Sequence, residues 1–174
     1  MTHHVHELLH AQAVSSAVQH ATRDVIRAAA NTVQRLAPRN DLISGMRESQ
    51  LRNVVNVAIR ATSVEEIAAF ILYQMGRSTN SRQWLYGEFG DTVVKDLMTG
   101  AVRNAAEQAR AQALATIAEA GLGGAAPDEA RLLSDAYIAL ARQYLGYLNR
   151  LFYFADRTRR WDELGELIKE VRGA

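Results

Sequence analysis

The chain has 174 residues, no cysteine, 20 basic and 19 acidic residues, and a net charge of +1. That length suits one domain able to bury about 70% of its unfolded surface. The missing cysteines exclude disulfides, thiolate zinc sites and cysteine nucleophiles, and no run of about 18 apolar residues offers a membrane span.

The opening MTHHVHELLH lacks the basic-then-apolar build of a signal peptide, so a cytoplasmic location is expected. Of the basic residues, 18 are Arg and only Lys95 and Lys169 are Lys. Arg forks onto phosphates and stacks on bases better than Lys does, although Arg-rich codon usage in a GC-rich genome leaves the same bias. Two prolines, abundant Ala and the absence of useful β-alternation predict an all-α fold. The expected architecture is one domain over residues 1–174, an elongated bundle of about five to six helices, three of them long.

Val5 to Leu36 reads as a first long helix with Val14, Val18, Ala21, Val25, Ala29, Val33 and Leu36 on one stripe. Pro38 ends it, because the residue before a proline is pushed out of the α region, and Arg39 to Ser44 follows as a polar connection. Glu48 to Ala61 is a second helix, with Leu51, Val54, Val55, Ala58 and Ile59 inward and Arg52, Asn53, Asn56 and Arg60 outward. Ser63 with Glu66 three residues on forms a capping box that opens a third helix. Ile67, Phe70, Ile71 and Gln74 are its inward side, and Gly76 closes it as the residue after the cap.

Ser81 to Tyr86 is a short helical turn carrying Trp84, and Gly87 and Gly90 bracket a tight connection. Asp91 to Ala120 is expected to be one long helix, with Val94, Met98, Val102, Ala106, Ala109, Ala113 and Ile117 on its stripe. Gly121 to Pro127 is the clearest loop, with Pro127 suited to the first turn of the next helix. That helix, Asp128 to Arg160, is the predicted centre of the fold. Leu133, Tyr137, Leu140, Tyr144, Leu148, Leu151 and Ala155 make one apolar row, and Ile138, Leu145 and Phe152 a second beside it. Two rows need neighbours on more than one flank. Trp161 to Val171 is a last amphipathic helix, with Trp161, Leu164, Leu167, Ile168 and Val171 inward.

His6-Glu7-Leu8-Leu9-His10 matches the H-E-x-x-H zinc-protease motif, in which two imidazoles one turn apart hold zinc and the Glu activates its water. Only five residues carry the match, a third ligand is missing, and His20 lies about 15 Å further along the same helix. The alternatives are an adventitious or subunit-bridging metal site joined by His3 or His4, and a solvated His-rich end. The second motif is an arginine–aromatic strip on the central helix: Arg142, Gly146, Asn149, Arg150, Tyr153 and Arg157, followed by Arg159 and Arg160. From Ala141 to Arg160 there are five Arg against Asp156 alone. Basic groups interleaved with an aromatic suit single-stranded nucleic acid; the plain alternative is a solvated face with Tyr153 half-buried. The first 62 residues carry a net +3 and the last helix a net −2, a polarity that would suit head-to-tail stacking of copies. A helix-turn-helix over Glu48–Ala61 and Ser63–Met75 is disfavoured, because the second helix presents almost no base-reading side chains.

The segment SQLRNVVNVAIRATSVEEIAAFILYQMGR (Ser49–Arg77), with Trp84 downstream and a helix ending in YLGYLNRLFYF, resembles the small helical subunit of type III CRISPR effector complexes. The likeness spans about Asp41 to Asp156, and the long His-bearing first helix has no counterpart in it. The resemblance implies a cytoplasmic, non-catalytic protein without cofactor, several copies of which line up beside other subunits and touch RNA through basic faces. The positions fitting that role are Arg52, Arg60 and Arg77, with Arg142, Arg150 and Arg157 and the interleaved Tyr153 on the central helix. The near-neutral total charge departs from a strong stand-alone RNA binder. Two other functions remain open at this point: a zinc-dependent hydrolase using His6 and His10, and a helical scaffold whose extra apolar rows meet another protein.

Overall fold

A computed structural model of the chain describes residues 2–38, 45–77, 81–121 and 127–169, and these are helical almost throughout, with no strand among them. The elements are α1 (Thr2–Gln34), α2 (Glu48–Arg60), α3 (Val64–Gly76), α4 (Ser81–Leu85), a 3₁₀ turn (Tyr86–Glu88), α5 (Phe89–Met98), α6 (Ala101–Glu119), α7 (Glu129–Thr158) and α8 (Trp161–Lys169). The all-helical bundle expected from composition is what forms. The expected connection Arg39–Ser44, most of the Gly121–Pro127 loop, and Val171 lie outside the described residues.

Three elements make the frame, and the polar contacts between them fix their directions. Glu7 meets Arg131, His10 meets Asp135 and Thr22 meets Gln143, so α1 and α7 run parallel. Arg103 lies over the Tyr137 ring while Arg110 reaches Glu129, and Thr32 meets Asp96 just before α6 while His20 meets Gln112, so α6 runs antiparallel to both. Every residue of the predicted α1 stripe is buried. Against it α6 presents Ala105, Ala106, Ala109 and Ala113, all buried. Small side chains on both faces allow close approach, so much of this contact is backbone-near packing. The centre is α7, which packs on α1, α2, α3, α6 and α8 and buries Leu132, Leu140, Tyr144, Leu145, Leu148 and Phe152. Both of its predicted rows are used, which is why it has neighbours on several flanks.

The helix expected over Asp91–Ala120 is two. Thr99 and Gly100 both donate their backbone N–H to the Lys95 carbonyl, at 3.0 and 2.7 Å, which closes α5. A Cβ on Gly100 would meet the Asp96 Cα and the Lys95 carbonyl oxygen at 3.0 Å, so the tight turn needs glycine there. The break shifts the helical phase by one residue. Before it Val93 and Leu97 are buried while Val94 and Met98 are only half-buried; after it Val102, Ala106, Ala109 and Ala113 return to the predicted register. Gly90 is likewise not part of a connection but sits in the first turn of α5, where a Cβ would strike Met75 Sδ at 2.7 Å. The turn itself is made by Gly87 and Glu88 at φ +55° and +58°, and a Cβ on Gly87 would meet the Arg35 carbonyl at 2.5 Å.

The helix ends divide between expectation and correction. Ser63 Oγ accepts from the Glu66 N–H, as the capping box requires, but the Glu66 carboxylate turns to Thr62 instead, accepting from its hydroxyl (2.7 Å) and backbone N–H. Those bonds hold the Glu66 carboxyl below its ordinary range. Gly76 is the last helical residue of α3 rather than a left-handed cap, and Arg77 after it is extended at φ −76°. Pro127 precedes the N-cap of α7. The cap is Asp128, whose side chain accepts from Arg131 N–H at 3.0 Å. Ile59, predicted inward, is 63% exposed, and Leu167 is exposed too. In both cases an apolar periodicity wider than the available neighbour leaves its outer residue in water.

One polar cluster joins α1, α5 and α7. The Thr32 and Tyr144 hydroxyls both donate to Asp96 Oδ2, at 2.8 and 2.7 Å. Burial, with the Asp96 charge second, pushes the Tyr144 phenol well above its ordinary value. The acidic helix α8 folds back on α1 and the end of α7, and Glu163 pairs with Arg160.

Candidate nucleic-acid interface

The arginines singled out in the sequence fall into three environments. Arg142 is committed to the fold. Its Nε donates to the Ala58 carbonyl at 3.0 Å and one terminal nitrogen to those of Ile59 (3.4 Å) and Ala61 (3.0 Å). These carbonyls belong to the last turn of α2, where a helix leaves acceptors without intrahelical partners and a cation also meets the negative end of the dipole. Arg142 is thus the C-terminal cap of α2, a role its place on a basic strip did not reveal.

Arg52 pairs with Glu48 one turn earlier on α2, both at the surface. The other four carry no acid partner among the described residues: Arg60, Arg77, Arg150 and Arg157. Each of the last three lies over an aromatic ring instead, Arg77 over Tyr73 at 5.6 Å, Arg150 over Tyr147 at 5.7 Å and Arg157 over Tyr153 at 5.4 Å. Such stacking orients a guanidinium without neutralising it. Tyr153 is exposed, so the second half of α7 presents an aromatic and two unneutralised cations to solvent. Immediately beyond, Arg159 pairs with Asp156 at 3.0 Å and Arg160 with Glu163, which trims the charge of the strip.

A groove of about 310 Å³ between α2 and α3 brings Arg52 and Arg77 together with Gln50, Asn53, Asn56 and Gln74. Sequence reasoning placed Asn53 and Asn56 on the outer strip of α2 but did not join them to the end of α3. The available signal was Gln74, a carboxamide on the otherwise apolar inward row Ile67, Ile71, Gln74. It is 5% exposed.

The His-rich start of α1 is engaged with α7. Both Glu7 carboxylate oxygens accept from Arg131 at 2.8 Å, and His10 Nε2 lies 2.9 Å from Asp135 Oδ2. The Glu7 carboxylate holds the Arg131 guanidinium above its ordinary range. Among the described residues no three His, Asp or Glu side chains converge in a way that could hold a metal ion. His6 and His10 therefore gain no third ligand there, and Glu7 faces a guanidinium rather than a site for water. His20 bonds the Ser16 carbonyl and Gln112. No described helix is long and apolar enough to cross a membrane.

No family model, curated protein or solved structure matches the chain.

Proposed function

We propose that this chain is a non-catalytic helical subunit of a ribonucleoprotein, of the kind found in type III CRISPR effectors, which contacts the backbone of RNA or single-stranded nucleic acid. Support comes from one observation: Arg60, Arg77, Arg150 and Arg157 stay exposed and unmatched by any acid among the described residues, three of them braced by tyrosines. A fold that merely needs solubility tends to interleave charges of both signs, as this one does with Arg103, Glu107 and Arg110 on α6. Guanidinium groups held ready over rings suit phosphates and unpaired bases. The near-neutral total means that affinity comes from local patches and from neighbouring subunits rather than from the overall field.

The test is binding of single-stranded RNA at low salt. Affinity is expected to fall steeply with salt, and Arg150→Glu to weaken binding to every RNA sequence alike. Unchanged affinity in that variant would overturn the proposal. A second reading, a helical protein–protein module, draws on Ile59, Leu72, Tyr73 and Leu85, large apolar side chains left exposed on α2, α3 and α4. Light scattering at high concentration separates the two, because a monomer without RNA affinity fits neither and a dimer without RNA affinity fits only the second.

A further inference from the structure

Glycine weakens the interior of a helix relative to alanine, because it frees the unfolded chain and adds no side chain to pack. Where one persists, the fold usually needs it, and Gly90 and Gly165 show why. A Cβ on Gly90 would strike Met75, and one on Gly165 would meet the Gln34 amide nitrogen at 3.0 Å. Gly146, near the middle of α7, has no such reason. Its backbone is helical rather than left-handed, and a Cβ built on it would find no atom within 4 Å.

The bare turn is placed beside the unmatched cations. One turn earlier, Arg142 reaches the end of α2 and Gln143 accepts from Thr22 of α1. Gly146 therefore lies on the seam between those two neighbours, half-buried but with open space above it. It shares a helix face with Arg150, Tyr153 and Arg157, at steps of four, seven and eleven residues. Arg150 lies over the Tyr147 ring and Arg157 over the Tyr153 ring. Each guanidinium thus leans back toward the start of the helix, and that of Arg150 leans toward the bare turn. The face runs for about 16 Å.

Two kinds of molecule exploit a bare helix turn. A partner helix can cross there, but it then needs apolar side chains around the crossing point to bury. The residues one turn away on either side of Gly146 are Arg142, Gln143, Asn149 and Arg150, all of them polar. A nucleic-acid strand needs the opposite: cations, and an unobstructed surface that its backbone can approach closely.

We infer that Gly146 is the crossing point of the bound strand, whose sugar–phosphate backbone lies against the bare turn of α7 with Arg150 and Arg157 on its phosphates. The inference rests on the nucleic-acid reading above. It adds the path of the strand and a requirement of shape that charge alone does not impose.

The test uses the full chain and a single-stranded RNA of about 15 nucleotides, followed by fluorescence anisotropy at about 50 mM salt, beside thermal unfolding of each variant. Gly146→Ala should raise the melting temperature by about 1–4 °C, since the open space accepts a methyl group and alanine favours the helix. Gly146→Val should melt no lower than the parent protein. It should nonetheless bind RNA severalfold more weakly, because its branched side chain is stiff and stands in the path of the strand. The chain has no cysteine, so Gly146→Cys provides a single thiol for a benzophenone label. That label should crosslink to the RNA, whereas one on Ala111→Cys, at an exposed position of α6, should not. Unchanged affinity in Gly146→Val, or a crosslink no stronger at 146 than at 111, would overturn the crossing point; Arg150→Glu still weakening binding would then leave the backbone reading standing. A lower melting temperature in Gly146→Ala would overturn it too, by showing that the fold itself needs the glycine. No RNA affinity in the parent chain would overturn both.

Discussion

The two halves of α7 use the same residue type for opposite ends. In the first half Arg131 clamps Glu7 of α1 and Arg142 caps the last carbonyls of α2, so each guanidinium ties one helix to another. In the second half Arg150 and Arg157 touch only the faces of tyrosines on their own helix. Spacing along the helix does not separate these fates. What separates them is whether another helix ends, or offers an acid, within reach of the side chain. A count of positive charge therefore overstates a binding surface wherever a helix terminus lies beside it.

Substitutions can break that contrast, and the largest effect belongs to the packing that both halves share. Phe152, buried between α7 and Trp161 with ring centroids 6.2 Å apart, adjoins the exposed Tyr153. Phe152→Ala should destabilise by about 3–5 kcal/mol in urea unfolding, whereas Tyr153→Ala should cost far less and act on RNA affinity instead.

Next comes Arg142→Ala. Its removal leaves the carbonyls of Ala58 and Ala61 without their cap, and a loss of about 1–3 kcal/mol is expected. Arg142→Lys should recover only part of this, since one ammonium does not reproduce a fork spread over three carbonyls. If Arg142→Ala weakened RNA binding without lowering stability, the contrast between the two halves would collapse.

A pH titration sharpens the picture from inside the bundle. The Tyr144 phenol is raised well above its ordinary value of 10.0 by burial and by Asp96. A group whose folded pKa exceeds its unfolded one contributes stability that is fully present below the unfolded value and is lost as pH rises toward the folded one. Thermal stability should therefore fall once pH passes about 10, and Tyr144→Phe should flatten that fall.

The smallest effect on stability is expected for Arg150→Glu and Arg157→Glu, each within about 0.5 kcal/mol of the parent protein. RNA affinity should nonetheless drop, and the slope of log K against log salt should become shallower by about one for each.

Much of the scaffold was legible in the residues alone. The α1 stripe, the two rows of α7 and the Ser63 cap follow from periodicity and local hydrogen bonding, which act within a few residues of chain. The break at Gly100 was less visible, because a lone glycine in a helical pattern looks tolerable until the crowding at Asp96 and Lys95 is known. At the candidate site, the exposed arginines of α2 and α7 were recognisable by pattern, while the α2–α3 groove was not, since it joins residues from two helices.

Composition and spacing by themselves determined that this chain is an all-helical bundle, with α7 at its centre and arginine as its dominant cation, because burying apolar stripes at helical period admits few other solutions. Tertiary structure alone decided which cations remain available and where carboxamides gather. Those outcomes depend on which helix terminus, acid or ring happens to lie across from each side chain. Such pairings join residues up to 125 positions apart, as His10 and Asp135 do, and no local pattern encodes them.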